Sequence, residues 1–292
     1  MLPHLCSSVF ICGFKINNMN LSQIRQILSD QEIQLTRSLG QNFMHDQNQI
    51  ARIVAAGEVS EDDSVLEIGP GLGPLTEKLL ESAGKVVAIE TDKRLLVHLE
   101  KRFDNNPKIQ LIHGDALELI RREAHDWSQW KMVSNLPYSI ASPLLVELSK
   151  KSTGPKLIAT TVQWEVGLRL VSPPSKKDYG VLTLLVQLSY EAKMEFKIPP
   201  TSFFPPPRID SACVSLRRRS PLLPEDRKPL FERIVKRGFS QRRKMMLKLL
   251  KQDWDPDRLQ QAYTAASIDI KDRAEAVSLE QYVIMTNSLA DE

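Results

Sequence analysis

The sequence predicts an α/β protein, an open sheet that holds a ligand at its strand tips, followed by a small all-helical domain. Three observations predict it. Strand-like apolar runs alternate with helix-like ones between residues 64 and 171, the pattern of an α/β sheet. Four of the strand runs end at Gly69, Glu90, Asp115 and Asn135, polar or glycine residues at the edge where open sheets of this class bind ligands. Past Ser220-Pro221 the strand pattern stops, and apolar residues recur at helical spacing opposite Lys and Arg.

The elements follow in order. Met1 to about Met19 is mildly apolar but lacks the basic start of a secretory signal and the arginines of a mitochondrial presequence. We expect Met19 to be the working start and residues 1–19 to be a poorly ordered extension. A short amphipathic helix covers Leu21–Leu28, and Asp46 is placed to cap a helix from Gln47 to about Ala56. Ser64–Ile68 is a strand that runs into Gly69-Pro70-Gly71-Leu72-Gly73, and a helix continues through Leu75–Leu80. The dinucleotide fingerprint needs its third glycine one position later, where Pro74 stands. The turn therefore suits an adenosyl ligand without a pyrophosphate, although a glycine turn alone is weakly specific.

Lys85–Ile89 is the next strand, and Glu90 at its tip can accept from two ribose hydroxyls; Asp92 is placed to cap the following helix. Ile109–His113 ends at Gly114-Asp115-Ala116, where a carboxylate can accept from an adenine N6 amine or simply shape the turn. The fourth strand, about Lys131–Ser134, delivers Asn135-Leu136-Pro137-Tyr138. An amide oxygen and a backbone carbonyl there can accept from an exocyclic amine while the tyrosine face stacks on the base. Asn and Pro are also ordinary turn residues. Four turn coincidences in the right order are much less expected than one, so a binding site is the stronger reading.

Leu157–Gln163 makes a fifth strand and Glu165–Val171 a short helix, followed by a basic loop, Ser172–Asp178, that carries Lys176 and Lys177. Val181–Tyr190 is apolar enough for a buried helix or a strand. Strands near Ala192–Ile198 and Asp210–Arg217 flank Thr201-Ser202-Phe203-Phe204-Pro205-Pro206-Pro207, whose prolines stiffen the connection. A phenylalanine held there can stack on a flipped base or plug the core. Helices follow at Pro229–Gly238, Arg243–Leu250, Asp257–Ala266 and Leu279–Leu289. Residues 20–219 and 220–292 thus form the two expected domains.

Composition sets the outer bounds. The 292 residues are 42% hydrophobic and 26% charged, enough for a sizeable core in a globular protein. No apolar run is long enough to span a membrane. Cys6, Cys12 and Cys213 fall in no metal-ligand spacing, and so few thiols fit a reducing cytoplasm. The net charge of +3 is unevenly laid out: Arg217–Lys251 holds 13 Lys/Arg against 3 Asp/Glu, so the remainder is acidic. Such a block suits a polyanionic partner, although many charge runs are only solvated helix faces.

Together these motifs resemble the small-subunit ribosomal RNA adenine N6-dimethyltransferases of the KsgA type. The carriers are Leu39-Gly40-Gln41-Asn42-Phe43, Glu67-Ile68-Gly69-Pro70-Gly71, Glu90-x-Asp92, Gly114-Asp115-Ala116 and Asn135-Leu136-Pro137-Tyr138. They continue through Phe203-x-Pro205-Pro206-Pro207 with Asp210-Ser211-Ala212, and Phe239-x-Gln241-Arg242-Arg243-Lys244. The resemblance implies a Rossmann-like S-adenosylmethionine-dependent methyltransferase sheet with a C-terminal helical domain that binds RNA. It implies a cofactor pocket of Asn42, Met44, Gly69, Glu90, Asp115 and Asn135, with Met44 where leucine is usual. It also implies catalysis by Asn135, Pro137, Tyr138 and Phe203, with no metal, and RNA contacts from Arg242, Arg243 and Lys244, then Lys176 and Lys177. Met245-Met246-Leu247-Lys248 departs from the family's usual threonine-leucine-arginine-asparagine.

The activity so implied is N6,N6-dimethylation of two adjacent adenines near the 3′ end of 16S ribosomal RNA. The expected setting is an immature 30S particle in the cytoplasm, with the enzyme acting as a monomer away from any membrane. Two alternatives stand beside it. One is another nucleic-acid adenine N6-methyltransferase, such as one acting on DNA, against which Leu136 and the basic C-terminal region argue. The other is a non-catalytic small-subunit assembly factor that keeps the fold, against which the intact Glu90, Asp115, Asn135 and Tyr138 argue.

Overall fold

The computed structural model describes residues 19–30, 33, 41–122 and 125–290. The N-terminal extension up to residue 18, and Leu39 and Gly40 of the first motif, lie outside the described residues. Met19, placed by the sequence at the end of that extension, is instead 2% exposed and packs with Ile24 and Leu28.

Chain order is α1 (Leu21–Asp30), β1 (Phe43–Met44), α2 (Gln47–Ala56), β2 (Ser64–Ile68), α3 (Pro74–Ser82), β3 (Lys85–Glu90), α4 (Lys93–Arg102), β4 (Ile109–His113) and α5 (Ala116–Arg122). It continues with β5 (Lys131–Asn135), α6 (Tyr138–Lys150), β6 (Leu157–Gln163), α7 (Trp164–Val171), α8 (Val181–Gln187), β7 (Tyr190–Ile198), β8 (Phe203–Phe204) and β9 (Ser211–Arg218). The C-terminal helices are α9 (Lys228–Gly238), α10 (Met246–Leu250), α11 (Pro256–Ala265) and α12 (Leu279–Ala290).

Seven strands form one sheet in the order β4-β3-β2-β5-β6-β9-β7. The first five are parallel; β9 runs antiparallel to β6, and β7 antiparallel to β9. The chain winds outward from β2 to β4, then restarts beside β2 with β5. That reversal opens a crevice at the carboxyl ends of β2 and β5. Both sheet faces are covered: the core runs through Leu66, Ile68, Met132 and Ile158 on one side and Val65, Val86, Val133 and Ala159 on the other. Double coverage explains why these strands read as continuous apolar runs and not as alternating ones.

Asp46 caps α2 by accepting from the Asn48 and Gln49 amides, and Asp92 caps α4 through Arg94 N, both as the sequence indicates. Helix α6 begins at Tyr138 and carries Pro143 inside it; a proline this near the start removes one backbone hydrogen bond without stopping the helix. One element differs from expectation. Arg242–Lys244 is a turn, and the helix expected from Arg243 starts only at Met246. The Met246 amide there donates to the Asp272 carbonyl at 2.9 Å, and the buried Met246 side chain enters the core.

The expected boundary near residue 220 does not divide the hydrophobic core. Tyr179, Leu184, Leu185 and Leu188 pack in one cluster with Phe231, Ile234, Leu259 and Tyr282. The Tyr179 hydroxyl donates to the Val277 carbonyl at 2.9 Å. Helix α8 is thus shared by the sheet and the helical region.

Candidate active site

The crevice between β2 and β5 is a cavity of about 290 Å³. Its lining includes Asn42, Met44, Gly69, Glu90, Asp115, Asn135, Pro137 and Tyr138. Four strand tips converge here because parallel strands all present their carboxyl ends to the same edge.

A strap formed by residues 41–44 crosses this edge. Strand β1 pairs antiparallel with β8, Phe43 opposite Phe204 and Met44 opposite Phe203. Gln41 Nε2 donates to Asp92 Oδ2 at 3.0 Å, and Asn135 Nδ2 donates to the Asn42 carbonyl at 3.1 Å. The glycine turn below leaves room for it. Gly71 has a φ of +64°, and a Cβ at that position would lie 2.9 Å from the Phe43 ring; a side chain is excluded on both counts.

Glu90 is 4% exposed. Its Oε2 accepts from Gly71 N at 3.2 Å and its Oε1 from Asp92 N at 2.9 Å. Each oxygen keeps a lone pair for a further donor. Burial raises its pKa above the ordinary carboxylate value, and the two amide donors oppose that shift. Asp115 is exposed at the rim; its Oδ1 accepts from Leu117 N and Glu118 N at the start of α5. Asp115 thus shapes the turn and also lines the cavity.

Glu67 is a residue that sequence reasoning passed over. It appeared only as part of a motif, yet its side chain is 1% exposed and lines the cavity. Oε2 has no hydrogen-bond partner among the described residues. Burial, with the charge of Glu90 nearby, pushes its pKa up to about 8. Its signal in the sequence was an acidic residue inside an otherwise apolar central strand, which is costly unless something positive arrives to meet it.

This donor set fits the cationic cofactor implied above. An unpartnered buried carboxylate oxygen and a second carboxylate beside it favour a positively charged ligand. Glu90, on the tip of β3, has acceptors left for a ribose diol. The residues that would hold S-adenosylmethionine are Glu67, Gly69, Glu90 and Asp115, with Met44 supplying apolar contact.

Glu67 gives a pH prediction. A carboxyl held neutral above its ordinary range contributes stability that is fully present at low pH. That contribution is lost as pH rises from the ordinary carboxylate value of 4.5 through about 8. Glutamine stays neutral throughout. Without cofactor, Glu67→Gln should therefore melt within about a degree of the parent at about pH 4 and several degrees higher at about pH 9. Calorimetric melts at the two pH values check this, and parallel curves would refute it.

Asn135 and Tyr138 are both held from behind. Asn135 Oδ1 accepts from the Thr161 hydroxyl at 2.5 Å. The Tyr138 hydroxyl and Ser211 Oγ are 2.5 Å apart, and burial raises the phenol's pKa, so it stays protonated. The Pro137 carbonyl accepts from Ile140 N at 3.1 Å. One lone pair therefore remains on Asn135 Oδ1 and one on the Pro137 carbonyl.

Phe203 requires a correction. It is 2% exposed, packs among Met44, Ile50, Val133 and Ile198, and does not line the cavity. A ring covered by core side chains has no face to offer a base, so Phe203 is the phenylalanine that plugs the core. Its neighbour Phe204 is only half-buried, with the Arg25 guanidinium over its ring at 5.2 Å.

The basic residues expected to meet RNA are brought together. Arg242 Nη2 donates to the Lys177 carbonyl at 2.7 Å and lies 3.5 Å from Glu275 Oε2, and Ser175 N donates to the Glu275 carbonyl at 2.8 Å. The 172–178 loop and the 242–244 turn thus form one surface, on which Lys176, Lys177, Arg243 and Lys244 are exposed. No group of three or more His, Cys, Asp or Glu side chains able to hold a metal occurs among the described residues. No helix among them is long and apolar enough to cross a membrane.

Known proteins share this chain's sequence and fold. The chain is 38% identical over 277 residues to the ribosomal RNA small subunit methyltransferase A of Clostridium perfringens, covering 94% of this chain and 97% of that one. It is 36% identical over 282 residues to the protein of the same name from Ligilactobacillus salivarius, covering 92% and 95%. Among solved structures it is similar to the 23S rRNA methyltransferase ErmE, with a TM-score of 0.67, 26% identity and coverage of 86% and 100%. A dimethyladenosine transferase from Plasmodium falciparum shares the fold, with a TM-score of 0.67, 22% identity and coverage of 83% and 95%. Residues 33–291 match the family described as ribosomal RNA adenine dimethylase. Matched by that family over residues 33–291 and by relatives at 36–38% identity over more than nine-tenths of its length, the chain belongs to the ribosomal RNA adenine dimethylase family, S-adenosylmethionine-dependent methyltransferases.

Proposed function

We propose that this protein dimethylates N6 of two adjacent adenines near the 3′ end of the small-subunit ribosomal RNA. It would act as a monomer on an immature 30S particle in the cytoplasm. One observation carries the chemistry: Asn135 Oδ1 and the Pro137 carbonyl each retain one lone pair at the mouth of the cavity. Two acceptors match the two N–H bonds of an adenine amine. The small-subunit name borne by relatives at 33–38% identity supports the choice of RNA.

When bound, S-adenosylmethionine supplies a methyl group on a positively charged sulfur, so the donor is already activated. The adenine nitrogen is the reluctant partner, because its lone pair is delocalised into the ring. Asn135 Oδ1 and the Pro137 carbonyl would hold the two N–H bonds, favour a pyramidal nitrogen and aim its lone pair into the cavity. The Tyr138 ring, anchored through Ser211, would stack on the base. Catalysis is then mainly orientation and electrostatic placement. An adenine inside a helical stack cannot reach these groups, so the target must be extruded or already splayed out. After the first transfer one N–H remains, enough to hold the amine for the second.

The exposed basic surface would set register through phosphate contacts. Replacing Arg242, Arg243 and Lys244 with Ala should weaken RNA binding and lower the slope of log affinity against log salt by about two. Arg242 is partly engaged within the protein, so it should add less than a full charge. Binding titrations at several salt concentrations check this, and an unchanged slope would remove the assignment. The activity itself is tested by transferring labelled methyl groups to unmethylated small subunits and mapping the modified bases. Label confined to large-subunit RNA or DNA would overturn the proposed substrate.

A further inference from the structure

Thr161 stands directly beside Asn135, its register partner on the neighbouring parallel strand β6. It is fully buried, and nothing in the apolar run Leu157–Gln163 singles it out. The Asn42 carbonyl can only accept, so Asn135 must turn its Nδ2 toward the strap. That choice points Oδ1 at β6, where the Thr161 hydroxyl donates to it at 2.5 Å. The amide is thus gripped at both ends, by the strap at its nitrogen and by β6 at its oxygen.

Resting on the reading of Asn135 as an acceptor for the substrate amine, we propose that Thr161 is a positioning residue for methyl transfer. Its hydroxyl fixes the Asn135 oxygen so that the one remaining lone pair faces the cavity. Without that hydroxyl the inner lone pair is left unsatisfied in a dry slot. The amide then tilts toward the cavity to find another donor, and the acceptor angle presented to the amine is lost. The adjacent Thr160 supplies an internal contrast: it is equally buried, but its hydroxyl donates to the Ser134 carbonyl at 3.0 Å and not to the Asn135 side chain.

The test compares Thr161→Val, which keeps the shape and loses the hydroxyl, with Thr161→Ser, which keeps the hydroxyl. Thr160→Val controls for the loss of a buried hydroxyl as such. Thr161→Val should lower kcat at least about tenfold, with KM for RNA and calorimetric affinity for S-adenosylmethionine within about twofold. Thr161→Ser should retain kcat within about threefold, and Thr160→Val should lower the melting temperature with little change in kcat. In nuclear magnetic resonance spectra, the Asn135 side-chain amide signals, identified by their loss in Asn135→Ala, should shift and exchange faster with solvent in Thr161→Val only. A Thr161→Val enzyme with parental kcat and unmoved amide signals would overturn the role of Thr161. If Asn135→Ala itself were active, the underlying reading of Asn135 would fall instead.

Discussion

Replacing Asn135 with alanine should reduce methyl transfer by on the order of a hundredfold to a thousandfold, the scale of losing a preorganised polar group at a reacting centre. S-adenosylmethionine affinity should change by no more than about tenfold, because Glu67, Gly69 and Glu90 still line the pocket. The split between turnover and affinity is the diagnostic. Truncation also strips the Thr161 hydroxyl and the Asn42 carbonyl of their partner, which costs about 1–3 kcal/mol of stability. Turnover must therefore be referred to the folded fraction, measured by cofactor titration. Near-normal methylation by the folded variant would remove the catalytic assignment.

Replacing Glu90 should produce the opposite split. Glu90→Ala removes the acceptors assigned to the ribose hydroxyls, and charge-assisted hydrogen bonds are worth about 1.5–3 kcal/mol each. Affinity for S-adenosylmethionine should fall by on the order of a hundredfold, while a large part of kcat returns at saturating cofactor. The loss would combine direct and local effects, since Gly71 N and Asp92 N both depend on this carboxylate. Glu90→Gln, which keeps an acceptor oxygen, should lie between the two. Calorimetric titration decides, and parental affinity in the alanine variant would overturn the placement of the ribose at β3.

What the sequence made legible, and what it hid, follow one physical division. Gly69, Glu90, Asp115 and Asn135 were readable because each lies at the end of its own strand or within two residues beyond it, and parallel strands bring those ends together without further instruction. Asp46 and Asp92 were readable as caps for the same local reason. Phe203 was not, because which way a ring faces in a short strand depends on register. Its partner in that register, Met44, lies far away in the chain. Thr161 and Ser211 were hidden because their importance lies in what they touch, Asn135 and Tyr138, and neither contact is local in sequence. The turn at Arg242–Lys244 escaped a periodicity argument because the start of α10 is fixed by the Met246 amide donating to the Asp272 carbonyl, a contact remote in sequence.

The sharing of α8 between sheet and helical region bears on how the enzyme chooses its target. A common interior made of Tyr179, Leu184, Leu185 and Leu188 with Phe231 and Tyr282 leaves no hinge about which the basic surface could swing. On the function proposed above, the distance from the basic surface to the Asn135 tip would then serve as a fixed ruler. The substrate would be an RNA whose own folding lays an unstacked adenine at that span, so the discriminating flexibility would belong to the RNA.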